Sequence, residues 1–168
     1  EIQQSIISIF RWKKTRKTKG MFYTDLCSEM EALHSEINDA GCDLFGLAAN
    51  ALNETITLVH ENKLTRKQHV MFVLSDMISH VEVGISMARK AKELAAKNDS
   101  EAQKIKIMSR IFASEVAQIV AEKALRIALG CGVYNQSDVS EFMDRISYNK
   151  LVLGCHDIVA DMDMAADI

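Results

Sequence analysis

The sequence holds no proline and only seven glycines in 168 residues. Proline ends helices and both residues build tight turns, so their scarcity leaves long helices uninterrupted and disfavours turn-rich β architectures. Cysteine is sparse as well: Cys27, Cys42, Cys131 and Cys155 lie far apart and form no Cys-x-x-Cys pair. Scattered in this way, they read as small buried hydrophobes of a reducing compartment. No apolar run approaches the ~20 residues that span a bilayer, and no secretory signal is visible. Gly-x-Ser-x-Gly, phosphate-loop and dinucleotide fingerprints are also missing. No catalytic constellation appears, so no catalytic residue is assigned. The chain starts at Glu1 and stops in mid-pattern at Ile168, which suggests a piece of something longer.

What is present favours helix. Hydrophobic residues make up 48% of the chain, an ordinary share for a globular domain, and alanine, leucine, glutamate, lysine and methionine are plentiful. The clearest pattern runs from Ser109 to Gly132. Met108, Ile111, Phe112, Val116, Ile119, Val120, Ala124 and Ile127 recur at three- and four-residue spacing there, which stacks them on one helix face. That helix is expected to open at Ser100 and to end with Gly130 as its C-terminal glycine. A second pattern covers about residues 23–63, with Thr24 as cap; Gly41 and Gly46 predict either a bend near Asn38–Gly41 or two helices placed end to end. A third starts at Thr65 and reaches Lys97. The last runs from about Asp138 to the chain end, with Phe142, Ile146, Leu153, Ile158, Met162 and Ala165 facing inward. The sum is an all-α fold, an up-and-down antiparallel bundle of about four long helices with an N-terminal basic arm. Residues 1–22 are assigned to a linking helix and the basic arm, and residues 23–168 to the bundle domain.

Charge is uneven. Six of the nine positions from Arg11 to Lys19 are basic and none is acidic, which leaves 14 basic against 23 acidic residues elsewhere, a balance of -9. A nucleic-acid-binding body would spread positive charge over a face, so nucleic acid is not an expected partner. Arg11, Lys13, Lys14, Arg16, Lys17 and Lys19 instead suit an anionic membrane or another anionic partner, each cation contributing ~1 kcal/mol near such a membrane. Trp12, with Phe10, Met21, Phe22 and Tyr23, supplies apolar groups beside them for insertion. A solvated linker is the plainer reading of the same stretch.

Metal chemistry fares poorly. A carboxylate-bridged di-iron bundle needs two ExxH pairs and two further inward glutamates. Only Glu31 and His34 form such a pair; His60, His69, His80 and His156 lack the preceding glutamate. Asp157, Asp161, Asp163 and Asp167 are dense but lie on a helical pattern without a calcium loop, so they are expected on a solvated face. No metal is assigned.

The segment from Gln68 to Ala91, a polar break, and then the stretch to Gly132 resemble the C-terminal helical domain of acyl-CoA dehydrogenases. The most specific part is Phe112-Ala-Ser-Glu-Val-Ala. In that family a QxxGGxG segment helps hold the flavin of a neighbouring subunit. The corresponding positions here are Arg126, Leu129 and Gly130, with Gly132 retained, and Asn62-Lys-Leu-Thr-Arg-Lys replaces the arginine-phenylalanine-glycine motif. The arrangement is most similar to the additional C-terminal domain of the very-long-chain type. Glu1-Ile2 is similar to the tail of the EGTxEI segment whose first glutamate is the family's catalytic base.

The resemblance implies an accessory, non-catalytic domain of an FAD-dependent enzyme of fatty acid β-oxidation, with the catalytic glutamate upstream of residue 1 and no cofactor on this segment. It also implies packing on the catalytic body of the same polypeptide, a homodimer, and a site in the cytoplasm or the mitochondrial matrix, peripheral at the inner membrane. A free-standing helical interaction or adaptor protein is the alternative.

Overall fold

A computed structural model describes residues 2–167. The chain forms α1 (Ile2–Lys17), α2 (Met21–Glu36), α3 (Cys42–Glu61), a single 3₁₀ turn at Leu64–Arg66, α4 (Gln68–Ala96), α5 (Ala102–Gly130), α6 (Gln136–Arg145), α7 (Tyr148–Leu153) and α8 (Ile158–Ala166). No strand occurs among the described residues. The fold is all-α, with α2 to α5 as the antiparallel core; α1 lies outside on α4, and α6 to α8 gather mainly against α5.

The pattern over residues 23–63 resolves into two helices, but they fold back on each other instead of lying end to end. Gly46 of α3 sits against Cys27 and Met30 of α2, and Gly20, just before α2, faces Asn53 further along α3. Gly41 makes the reversal possible. Its φ of 73° is left-handed, and a Cβ there would stand 2.3 Å from Cβ of Ala113. Thr24 does not cap α2; Gly20 stands at the cap, and the Thr24 hydroxyl donates to the Gly20 carbonyl. Thr65 lies inside the 3₁₀ turn, and Glu101 instead of Ser100 precedes α5.

The core centres on Phe45, Leu52 and Ile56 of α3 and on Leu74, Met77, Ile78 and Ile85 of α4, all essentially without solvent exposure. Burial of each such side chain contributes about 1.5–3 kcal/mol before chain entropy is counted. By length and composition α4 could cross a membrane, in contrast to the sequence expectation, but 56% of its most apolar window is buried inside the bundle. It serves here as a core helix.

The buried side of α5 differs from the expected stripe. Val116, Val120, Ala124 and Ile127 are buried, but Met108 is 41% exposed, and Ile111, Phe112 and Ile119 are only partly covered. Ala113, Ala117, Ala121 and Ala128 complete the inner face. Small side chains let α5 approach α3 and α4 closely, so the larger residues are left at the rim.

The last pattern does not continue as one helix. Ser147 and Asp157 adopt left-handed φ of 53° and 63°, which ends α6 and starts a new direction before α8. Asn135 and Asp138 form a reciprocal capping box that fixes the start of α6. Phe142 and Ile146 are buried as expected, whereas Leu153 is 69% exposed and Met162 lies outward. Of the cysteines, Cys42 is buried, Cys27 and Cys131 are half-buried, and Cys155 is exposed, contrary to expectation.

Candidate functional site

Two places carry the residues singled out by sequence: α1 with its following turn, and the C-terminal end of α5. The basic residues lie on the second half of α1 and on the turn to α2, and the structure divides them into two sets. Arg11 faces the bundle. Its Nε and Nη2 donate to the Glu82 carboxylate of α4 at 2.5 and 2.6 Å, a bidentate pair, and the Tyr23 hydroxyl donates to the same carboxylate at 3.0 Å. The bond to Glu82 raises the Arg11 pKa. Burial, reinforced by the Glu82 charge, drives the Tyr23 phenol far above the ordinary tyrosine range, so it stays a neutral donor.

Trp12 also turns to the body, with its indole Nε1 3.4 Å from His60 Nδ1 and the two rings tilted at 5.9 Å. Arg11 and Trp12 are thus both engaged by the body while remaining partly exposed. Tyr23 is fully buried, and Phe22 packs half-buried against it, with Lys14 Nζ 3.8 Å from the Phe22 ring centre. By contrast Lys13, Lys14, Arg16, Lys17 and Lys19 are exposed and enter no ion pair among the described residues. Phe10 and Met21 are exposed at 66% and 60%.

At the end of α5, Arg126 pairs with Glu122 one turn earlier at 3.1 Å, and both are exposed. Leu129 is 54% exposed, and a Cβ added at Gly130 or Gly132 would meet nothing within 4 Å. Gly130 is still within the helix; it is Gly132 that takes the left-handed φ, 64°, that a terminating glycine supplies. An apolar groove of about 510 Å³ opens beside these residues, lined by Leu125, Leu129, Tyr148 and Val152 among others.

The supposed metal and calcium residues disperse. Glu31 accepts a weak bond from Cys27, whereas His34 lies 3.8 Å from Asp43. Among the described residues no three His, Cys, Asp or Glu side chains gather as metal ligands. Asp161 leaves the solvated face assigned to it by sequence: it is 7% exposed and forms a bidentate pair with Arg110, whose Nε lies 2.6 Å from Oδ2. This pair fastens α8 to α5 at the edge of a cavity of about 480 Å³.

Both clasps, Arg11–Glu82–Tyr23 and Arg110–Asp161, were missed by sequence reasoning. Their partners stand 71, 59 and 51 residues apart, and no short-range spacing signals such contacts.

Comparison with known proteins adds kinship to this geometry. The model of the acyl-CoA dehydrogenase C-terminal domain matches residues 29–166. Proteins named Probable acyl-CoA dehydrogenase FadE25 from Mycobacterium tuberculosis and Mycobacterium bovis are each 28% identical over 123 residues, covering 70% of this chain and 32% of the relative. The Mycobacterium leprae counterpart is 25% identical over the same length. The chain therefore spans about a third of the length of the curated relatives it matches. No solved structure matches it.

Proposed function

Because the chain belongs to the acyl-CoA dehydrogenase family, through its C-terminal domain, we propose that it is the accessory helical domain of an FAD-dependent enzyme that dehydrogenates fatty acyl-CoA. In this reading the domain is itself non-catalytic. Its work is to pack on the catalytic body of the same polypeptide, to support a homodimer, and to bring the enzyme to an anionic membrane surface.

The observation that carries the reading is the state of the α5 end. The family match runs through it, yet the residues that would hold a flavin do not fit that task. Arg126 stands where the family has a glutamine and is paired with Glu122. Leu129 replaces a glycine and adds an exposed isobutyl group beside Gly130. A bulky side chain at the place of close backbone approach, and an ion-paired guanidinium in place of a neutral amide, both work against a snug cofactor contact. FAD is accordingly assigned to the catalytic body, where it accepts the hydride, and to no residue of this chain. The cell address that follows is the cytoplasm or the mitochondrial matrix, with the enzyme peripheral at the inner membrane.

The test is made in the full-length protein. Arg126→Ala and Leu129→Ala should leave flavin content and acyl-CoA dehydrogenation within about twofold of the parent, because exposed substitutions away from a site rarely cost more than ~0.5 kcal/mol. A tenfold loss of bound flavin in either variant would show that the α5 end does hold the cofactor.

A further inference from the structure

The stretch from Leu151 to Ile168 contains four aspartates and no lysine or arginine. Part of that charge is used within the body: Asp161 is taken by Arg110, and Asp157 lies 2.8 Å from His156. Asp163 and Asp167 are exposed and enter no ion pair among the described residues. Nor, among the described residues, does a third ligand join them to hold a metal.

At about 100° per residue, α8 sorts its side chains into three lines. Ile158, Asp161 and Ala165 fall together on the side toward α5, where Asp161 is buried and the other two are half-buried. Val159, Met162 and Ala166 form a second, exposed line at steps of three and four, with Val159 67% and Met162 45% exposed. Asp163 and Asp167 form a third line beside it, turned furthest from the body. Leu153, 69% exposed, stands just before the turn into α8 and lines the same cavity as Ile158. Single apolar side chains are ordinary on a protein surface; here an apolar line runs parallel to a line of carboxylates.

We propose that this outward face of α8 is a docking surface for a cationic amphipathic helix of a partner protein. The proposal goes beyond the accessory role given above and does not depend on it.

Charge complementarity selects the occupant. A helix that lays an apolar ridge against Val159 and Met162 brings its flank over Asp163 and Asp167, so lysine or arginine is required there. The long stems of those residues also cover the apolar line while their charged ends reach the carboxylates. The α8 face extends about 13 Å at 1.5 Å per residue, so a partner helix of about two heptads spans it. The chain's own basic helix is a poor match. On α1 the two kinds of residue follow one another along the axis, Ile2 to Phe10 and then Lys13 to Lys19, whereas α8 sets them side by side.

Fluorescence anisotropy of labelled peptides, titrated with the full-length protein, tests this. The probe is a peptide of about two heptads with leucine at the apolar positions and lysine along one flank. A control peptide carries glutamate in place of lysine. The parent should bind the lysine peptide and not the glutamate one, and more weakly as salt rises. Asp163→Asn with Asp167→Asn should weaken binding about fivefold, and Val159→Gln with Met162→Gln about tenfold. All four positions are exposed, and melting temperatures equal to the parent's check that the fold is kept.

Equal binding of the two peptides overturns the proposal, as does unchanged binding in either variant. A parent that ignores the lysine peptide also overturns it, the result expected if another part of the full-length protein covers α8. Sedimentation velocity without peptide addresses the remaining occupant. A self-association that disappears in the variant with Asp163→Asn and Asp167→Asn would assign the face to a second copy and not to a partner.

Discussion

Glu82 shows how one side chain can decide what its neighbours are free to do. Its carboxylate accepts from Arg11 and from Tyr23, residues on two different helices, and so ties α1 and α2 to α4. The sixth cation of the basic run is thereby held in an ion pair, and the buried phenol keeps its proton. Tyr23 carries a sign that can be tested. Its folded pKa is raised above the unfolded value of about 10, so its contribution is complete below that pH and is lost as pH rises beyond it. Tyr23→Phe should therefore cost about 1 kcal/mol at neutral pH, from the lost bond to Glu82. It should also flatten the fall in stability above about pH 10. Urea unfolding at pH 8 and above pH 10 checks both; an alkaline slope as steep as the parent's would show that the phenol is not the group concerned.

At the scale of the element, the sequence announces helices reliably and their faces less so. The absence of proline and the three- and four-residue spacing pointed to α4 and α5 with ends within a few residues of those found. The inner face of α5 was misjudged for a physical reason: periodicity counts size as burial, whereas a closely approached helix buries its alanines. The tail was misjudged for another. Gly154 is the only glycine in residues 138–168, and the two left-handed turns fall elsewhere, at Ser147 and Asp157, residue types that give no strong breaker signal.

Arg110–Asp161 is the clearest product of packing between α5 and α8. Asp161→Ala would leave a half-buried guanidinium without its partner and α8 without its anchor, a loss of about 2 kcal/mol. Amide exchange along Ile158–Ala166 should accelerate while that of α4 stays slow. Exchange in α8 equal to the parent's would mean that other contacts hold it. A glycine gives an independent handle on the core. At Gly84 an added Cβ would stand 2.1 Å from the buried ring of Phe45, so α3 and α4 are as close there as glycine permits. Gly84→Ala should destabilise by about 1–3 kcal/mol, read as a lowered urea midpoint with an unchanged slope.

On the scale of the whole molecule, fold class and family were both legible in the sequence, the first from composition and periodicity, the second from Phe112-Ala-Ser-Glu-Val-Ala and its surroundings. The candidate site was legible only in part. The basic run and the α5 end could be found by eye, but which cations are free and which are tied depended on contacts 71 residues apart. What emerges is a bundle with family kinship along most of its length, an α5 end that carries the Arg126–Glu122 ion pair and an exposed Leu129, and a helix laid along its flank with an apolar and cationic outer face.

The claim on which this account stands is that the bundle carries the family's fold without its cofactor. Titrating the purified chain with FAD and following the flavin's visible absorption after removal of free cofactor tests it most directly. The account predicts a colourless protein at every FAD concentration that saturates ordinary flavoenzymes. A yellow protein holding one flavin per chain, or one per pair of chains, would contradict it.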